Sequence, residues 1–303
     1  MTKSGRVTKK ISVFNIVNAL IMILLTVLFV LPFWLIVTAS LSSNSILMRE
    51  GFSIFFRGFT FAGYKFLFSI GDAFLRALFV TVVVAVAATA ISVFGCTWAA
   101  FALSNKKLVG RKFFNVFFMI PMFFSGGTIP TYLVIRGIGL YDTIWALIIP
   151  GSIGAYNILL LRNYFYGLSP SLGEAAQLDG ANDFQQIRSV YTPLALPMMF
   201  TVGMITFVGK WNSWLPSVLY LEATHTSLQL AQHVLKQMID NMQAFYSSHA
   251  SGSVANAPLT SARNAGIVIV ILPLILVSPI LQKYFVGGIT AGEKADKKTG
   301  GMP

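Results

Sequence analysis

The sequence has 303 residues, 55% of them hydrophobic and only 11% charged, with 22 Lys and Arg against 10 Asp and Glu. A soluble domain carries about 25% charged residues, so this composition excludes an ordinary water-soluble fold and makes lipid the solvent. The net charge of +12 reads as basic residues gathered on one side of a membrane, not as a nucleic-acid surface.

Six charge-free stretches follow in order: 11–48, 77–105, 113–135, 143–161, 189–209 and 264–282, each of at least 19 residues. About 20 apolar residues span a bilayer core as a helix, and lipid offers no partner to unpaired backbone groups. The ten-residue alternation of a membrane barrel is missing. The expected fold is an all-α integral membrane protein with six transmembrane helices over about 16–40, 76–104, 113–135, 142–161, 193–221 and 264–285. These lie in a transmembrane domain of residues 16–288, between polar tails at 1–15 and 289–303.

The first stretch starts with basic residues, as a signal peptide does, but a cleaved apolar region runs about 7–15 residues. This one is far longer, and it reads as a retained helix. The lone cysteine, Cys96, sits in the second stretch as a small buried hydrophobe; one cysteine supports neither a disulfide framework nor a cysteine metal site. In the third, Gly126-Gly127 and Pro130 predict a local break. With both termini in the cytoplasm, the inner side receives 14 Lys and Arg and the outer side 7, which is the asymmetry membrane proteins show. The densest inner anchor is the turn Lys106, Lys107, Arg111 and Lys112. Segments 49–76 and 222–263 then fall outside. Within the latter, Leu228, Leu230, Ala231, Val234, Leu235 and Met238 have helical spacing and predict an amphipathic surface helix, followed by a flexible Ser/Ala/Gly-rich loop over 247–257.

The inner loop 168–191 is the most informative segment. Ser169-Pro170 suits an N-cap and first turn. Asp179-Gly180 ends that helix, because glycine tolerates positive φ. Asn182 with Gln185 forms a capping box for a second short helix, and Pro193 stops it before the fifth span. The expectation is a rigid pair of short helices joined to a membrane helix.

These residues carry a family resemblance. Glu174-Ala175-Ala176, then Asp179-Gly180-Ala181, Ile187 and Pro193-Leu194 resemble the EAA loop of bacterial ABC-importer permeases. The likeness extends over 127–150, Trp211-Asn212-Ser213-Trp214 and Gln282-Lys283-Tyr284-Phe285-Val286. It is similar to the carbohydrate-uptake branch, in particular the second permease subunit of maltose-type and lipoprotein/aldouronate-type importers. Thr192, where leucine is common, and the polar tail after Gly288 depart from the pattern. The resemblance implies a subunit of the bacterial cell (inner) membrane, partnered by a second homologous permease, two ATPase subunits and an extracellular or periplasmic solute-binding protein. It also implies ATPase-coupling roles for Glu174 (polar contact), Ala175 and Ala176 (close packing), Asp179, Gly180 (the turn) and Ala181. No cofactor is expected on this chain; ATP and Mg belong to the partner ATPase.

No catalytic constellation or metal site is evident. Gly203–Lys210 misses the phosphate-loop spacing and has Trp211 where Ser or Thr should stand. His225, His233 and His249 read as solvated surface residues of the outer segment. Lys210 is costly at membrane depth; with Trp211, Asn212 and Trp214, and with Asn157 of the fourth stretch, it is a candidate lining for the substrate path. An ammonium there favours an acidic sugar, such as a uronate oligosaccharide, whereas a snorkelling Lys210 beside a lipid-facing tryptophan belt is the structural alternative. Import of another solute, such as an amino acid or polyamine, is the competing function. An ion-driven carrier would want buried carboxylates, and none of the six stretches contains Asp or Glu.

Overall fold

A bilayer forces backbone groups to pair within their own segment, and the computed structural model of this chain answers with helices. It describes residues 13–69, 73–222, 225–240, 258–277 and 279, and every regular element among them is helical. In order these are α1 (Val13–Ser40), α2 (Asn44–Glu50), α3 (Ala62–Ser69), α4 (Ala73–Ser104), α5 (Arg111–Phe123), α6 (Thr128–Gly137), α7 (Ile144–Ile148), α8 (Ala155–Tyr166), α9 (Pro170–Leu178), α10 (Asp183–Gln186), α11 (Thr192–Trp211), α12 (Leu215–Tyr220) and α13 (Ala231–Asp240). A last helix, α14, spans Leu259–Val277. Residues 1–12 of the expected N-terminal tail, the C-terminal tail and the loop 247–257 lie outside the described residues, whereas 13–15, expected in the tail, begin α1.

Among the described residues four helices are long and apolar enough to cross a membrane: α1, α4, the continuous run Asp183–Trp211 and α14; the pair α5 and α6 adds a fifth if taken as one span. Of the six expected helices, the third is interrupted as its sequence predicts, and the fourth and fifth differ from the expected bounds. The third breaks where Gly126-Gly127 predicted, bending by 119°; Gly127 takes φ +83°, ψ 179°, a region essentially open to glycine alone. The fourth, expected over 142–161, is the short α7, a turn over 149–154, and α8. Its apolar composition hid Pro150, which lacks an N–H, and Gly151 at φ +74°. The fifth begins earlier than expected. Pro193 does not stop a separate helix, because α10 runs into α11 through a π turn at Ile187–Tyr191. A proline ring crowds the carbonyl four residues back, here Ser189, and in the wider π turn just before it Thr192 N donates to Ile187 O, five residues back.

The described residues divide into two packed units, one of 13–69 with 258–268 and one of 73–240 with 269–279. In the first, α1 is exposed from Val13 through Trp34 and buried only at Thr38, Ala39 and Ser40, as expected of an apolar helix solvated by lipid or a neighbouring membrane subunit. Gly63 of α3 meets α14 so closely that a Cβ would lie 2.7 Å from the Ser261 carbonyl carbon. Thr260 N donates to Asn44 Oδ1 at 3.0 Å, joining α14 to α2.

In the second unit α4 is central, against α8, α11 and α13. Ala85, Ala88, Cys96 and Ala100 on it are wholly buried, and small residues let membrane helices approach closely. One apolar cluster joins Leu103, Leu161, Phe165 and Ala195; another joins Val84, Leu147, Leu221 and Leu230. Between them Ser92 Oγ bonds Thr206 Oγ1 at 2.8 Å, and Asn157 Nδ2 donates to the same oxygen at 3.2 Å. The expected amphipathic helix is α13, with Ala231 and Leu235 buried.

Candidate functional site

The loop between α8 and α11 is closed at both ends of its turn by backbone chemistry. Gly180 N donates to Gln177 O at 3.0 Å and Ala181 N to Ala176 O at 2.9 Å. This is the Schellman pattern, with Gly180 in the left-handed conformation at φ +78°. Immediately afterwards Asn182 Oδ1 accepts from Gln185 N and Gln185 Oε1 accepts from Asn182 N, both at 2.9 Å, so the capping box is formed as its sequence suggests. Ser169 does not cap α9 with its side chain; its hydroxyl bonds that of Ser171 at 2.7 Å.

Glu174, Ala175, Asp179 and Gly180 are exposed on α9 and its turn, and Ala176 and Ala181 are half-buried. Leu178 is 90% exposed. On its inner side α9 has one glycine, Gly173, where a Cβ would come within 2.7 Å of the Tyr191 hydroxyl. Tyr191, the last residue of the π turn, packs edge-on against Phe101 of α4 and Phe165 of α8, with ring centroids 5.0 and 5.7 Å apart. A loop of ordinary flexibility has no such seat. Sequence reading missed Tyr191; the glycine preceding Glu174 was the signal available.

The candidate path residues do not form one group. Lys210 Nζ donates to three carbonyls at the interrupted helix: Leu147 at 2.7 Å, Ile148 at 3.0 Å and Pro150 at 2.7 Å. An ammonium has three protons, and all are used. The group completes the C-terminus of α7, where orphan carbonyls attract cations. Trp211 is buried, stacked on Phe207 at 5.7 Å, and donates Nε1–H to Val270 O at 3.0 Å. Asn157 is buried in the Ser92–Thr206 network. Lys210, Trp211 and Asn157 are thus committed to packing within the chain. Asn212 and Trp214 are exposed: Gln232 Nε2 donates to Asn212 Oδ1 at 3.4 Å, and the Lys236 ammonium lies 4.9 Å from the Trp214 ring centroid.

At the same end, Asp142 adopts φ +58°, unusual for a residue with a side chain. Its Oδ1 accepts from Glu222 N at 3.0 Å, and its Oδ2 lies 2.5 Å from His225 Nδ1. The Glu222 N–H, and then His225, hold this carboxyl below its ordinary range. His233 bonds Gln237, and His249 lies outside the described residues. Among those residues no group of three His, Cys, Asp or Glu is placed to hold a metal.

Membrane helices around an exposed, glycine-closed EAA turn point to one kind of protein, and comparison decides it. Residues 91–290 match the model of the family described as the binding-protein-dependent transport system inner membrane component. The chain belongs to this family. As a member it is a multi-pass ABC permease subunit and not the ATP-hydrolysing one. Among its relatives are the polygalacturonan/rhamnogalacturonan transport system permease YtcP of Bacillus subtilis, 34% identical over 87% of this chain and 91% of that one. The protein LplC of the same organism is 33% identical over 96% of each. Among solved structures, this permease resembles a chain from a bacterial ABC transporter involved in the import of the acidic polysaccharide alginate. That chain is 29% identical, with a TM-score of 0.81 over 94% of this permease and 100% of the solved chain.

Proposed function

We propose that this permease is one half of the translocation path of an ABC importer for oligosaccharides of acidic, uronate-type sugars. A second homologous permease forms the other half, two ATPase subunits bind ATP and Mg, and an extracellular or periplasmic binding protein delivers the sugar. The chain crosses the membrane six times, with α5–α6 and α7–α8 as interrupted crossings and both termini in the cytoplasm; the basic asymmetry supports this orientation. The acidic substrate rests on the kinship to a polygalacturonan/rhamnogalacturonan permease and to an alginate importer. Asn212 and Trp214, an amide and an aromatic face exposed beside Lys236, are the side chains suited to meet a passing sugar.

The observation that carries the coupling role is the exposed, Schellman-closed helix α9 seated on Tyr191. Glu174, Ala175 and Asp179 face outward for an ATPase cleft, and Gly180 fixes the direction of the turn. Any other residue at φ +78° costs roughly 1 kcal/mol or more, and a leucine adds bulk on the docking side. Gly180→Leu is therefore expected to leave membrane insertion intact while releasing the ATPase or uncoupling hydrolysis from uptake. Co-purification and proteoliposome uptake of labelled oligogalacturonate, with a neutral oligosaccharide as control, test both parts. Full coupling in Gly180→Leu would reduce the loop to a connector; preference for the neutral sugar would remove the acidic substrate.

A further inference from the structure

Two guanidinium groups converge on one phenol at the end of α8. Arg111 at the start of α5 donates from Nη2 to the Tyr166 hydroxyl, and Arg162 donates from Nε to the same oxygen at 3.1 Å. Their Cζ atoms lie 5.2 and 4.7 Å from the Tyr166 ring centroid. The hydroxyl passes its own proton to Leu103 O at 3.1 Å, so it accepts from both cations and neutralises neither. Among the described residues the ion pairs are Arg57–Glu50, His225–Asp142 and Lys236–Asp240, and no carboxylate pairs with either arginine. Arg111 Nε is shielded from solvent and has no hydrogen-bond partner. Two cations drawn together around a neutral oxygen, with a donor left over, make a pocket of positive potential that an anion completes.

The surroundings say which anion. One step along α5 from Arg111, Phe113, Phe114 and Phe117 are exposed, with Phe113 and Phe117 stacked at 6.1 Å. Phenylalanine is as favourable in hydrocarbon as leucine, so these rings give acyl chains a surface to lie on that a soluble partner would leave bare. Lys112 is exposed beside them. We propose that Arg111 and Arg162 bind the phosphate of an anionic membrane lipid whose chains run along the Phe113–Phe117 face of α5. The inference rests on the proposed orientation, which puts this turn in the cytoplasmic leaflet, where anionic lipids concentrate.

The test uses the complete importer in nanodiscs of equal phosphatidylglycerol and phosphatidylcholine, then extraction and counting of the lipids retained on the complex. The expected result is enrichment of phosphatidylglycerol, reduced roughly fivefold by Arg111→Gln or Arg162→Gln and further by the pair, and unaffected by excess inorganic phosphate. Absence of enrichment overturns the proposal. Displacement by inorganic phosphate assigns the site to a free anion and also overturns it. Unchanged enrichment with loss of the ATPase from the double variant would pair the arginines with a partner carboxylate instead, again against the proposal. If the double variant does not assemble, Tyr166→Phe decides, because it frees both guanidiniums: enrichment must hold or rise, and its loss overturns the site. The readout needs neither sugar nor ATP, so it fails independently of the transport reading.

Discussion

Replacing Lys210 with methionine keeps the unbranched stem of the side chain, one atom shorter, and removes its charge, which isolates what the ammonium does. Ile148 O retains the Ser152 hydroxyl, but the Leu147 and Pro150 carbonyls lose their 2.7 Å partner. A buried acceptor left unpaired costs about 1–3 kcal/mol, so two cost roughly 2–6. Partial exposure at residue 210 lets some water in, and the methionine gains some apolar packing. A net loss of about 2–4 kcal/mol remains. At about 2–4 °C per kcal/mol, the scale for domains of about 150–250 residues, Lys210→Met should lower the melting temperature of the purified importer by roughly 4–16 °C. Lys210→Arg should recover part of the loss, since a guanidinium still donates. This departs from the expectation that follows from sequence, in which Lys210 touches substrate and its loss weakens transport without affecting assembly. The two are separable by differential scanning of the complex alongside uptake kinetics. Unchanged stability with a raised KM for an acidic sugar would refute the clasp and restore the substrate contact.

Two further predictions concern contacts equally specific. Gly173→Val should displace α9 from Tyr191, since a Cβ there meets the hydroxyl at 2.7 Å, and should lower ATPase co-purification several-fold. Tyr191→Phe in the same chain removes the obstructing oxygen and should recover much of the binding, which a double-mutant cycle measures. Asp142 gives a pH dependence: its carboxyl is depressed when Glu222 and His225 are docked on it, so docking is favoured above the ordinary carboxylate pKa of about 3.9. That gain is lost as pH falls through the lower, docked value. Asp142→Asn, which keeps an acceptor and tolerates positive φ, should flatten this acid limb, as read by hydrogen exchange at residues 222 and 225.

What the sequence made legible was whatever depends on local chemistry. The apolar runs that became α1, α4 and α14 are set by composition alone, and the Gly180 turn and the Asn182–Gln185 box by residues three apart. The interruption over 149–154 is hidden because 143–161 is apolar throughout, and a hydropathy run says nothing of whether a proline and a glycine inside it will be absorbed or will break the helix. An ammonium at Lys210 signals from sequence that it needs compensation, yet its partners are carbonyls about 60 positions earlier in the chain. Periodicity cannot show such a pairing. The intrachain bonds of Trp211 and Asn157 are hidden for a related reason: a polar atom in a membrane helix is as well served by a neighbouring helix as by a substrate.

The irregularities of the second unit share one element. At its first residues α11 continues the π turn that places Tyr191 under Gly173 of α9. At its middle Gly203 lets it approach α4, where a Cβ would lie 3.1 Å from Val93 Cγ2, and Thr206 joins Ser92 and Asn157. At its last turn Lys210 holds the broken end of α7. A helix is stiff along its axis, so a tilt imposed at Tyr191 reaches Lys210 with little loss, whereas the turn over 149–154 has few bonds of its own to resist. If ATP work enters at α9 as proposed, the Thr206 network acts as a fulcrum and the 149–154 turn as the part that yields. Breaking the Lys210 clasp should then uncouple ATP hydrolysis from transport even at temperatures where the complex is fully folded. A Lys210→Met importer that is folded, hydrolyses ATP at the normal rate and still transports normally would show that force does not travel by this helix.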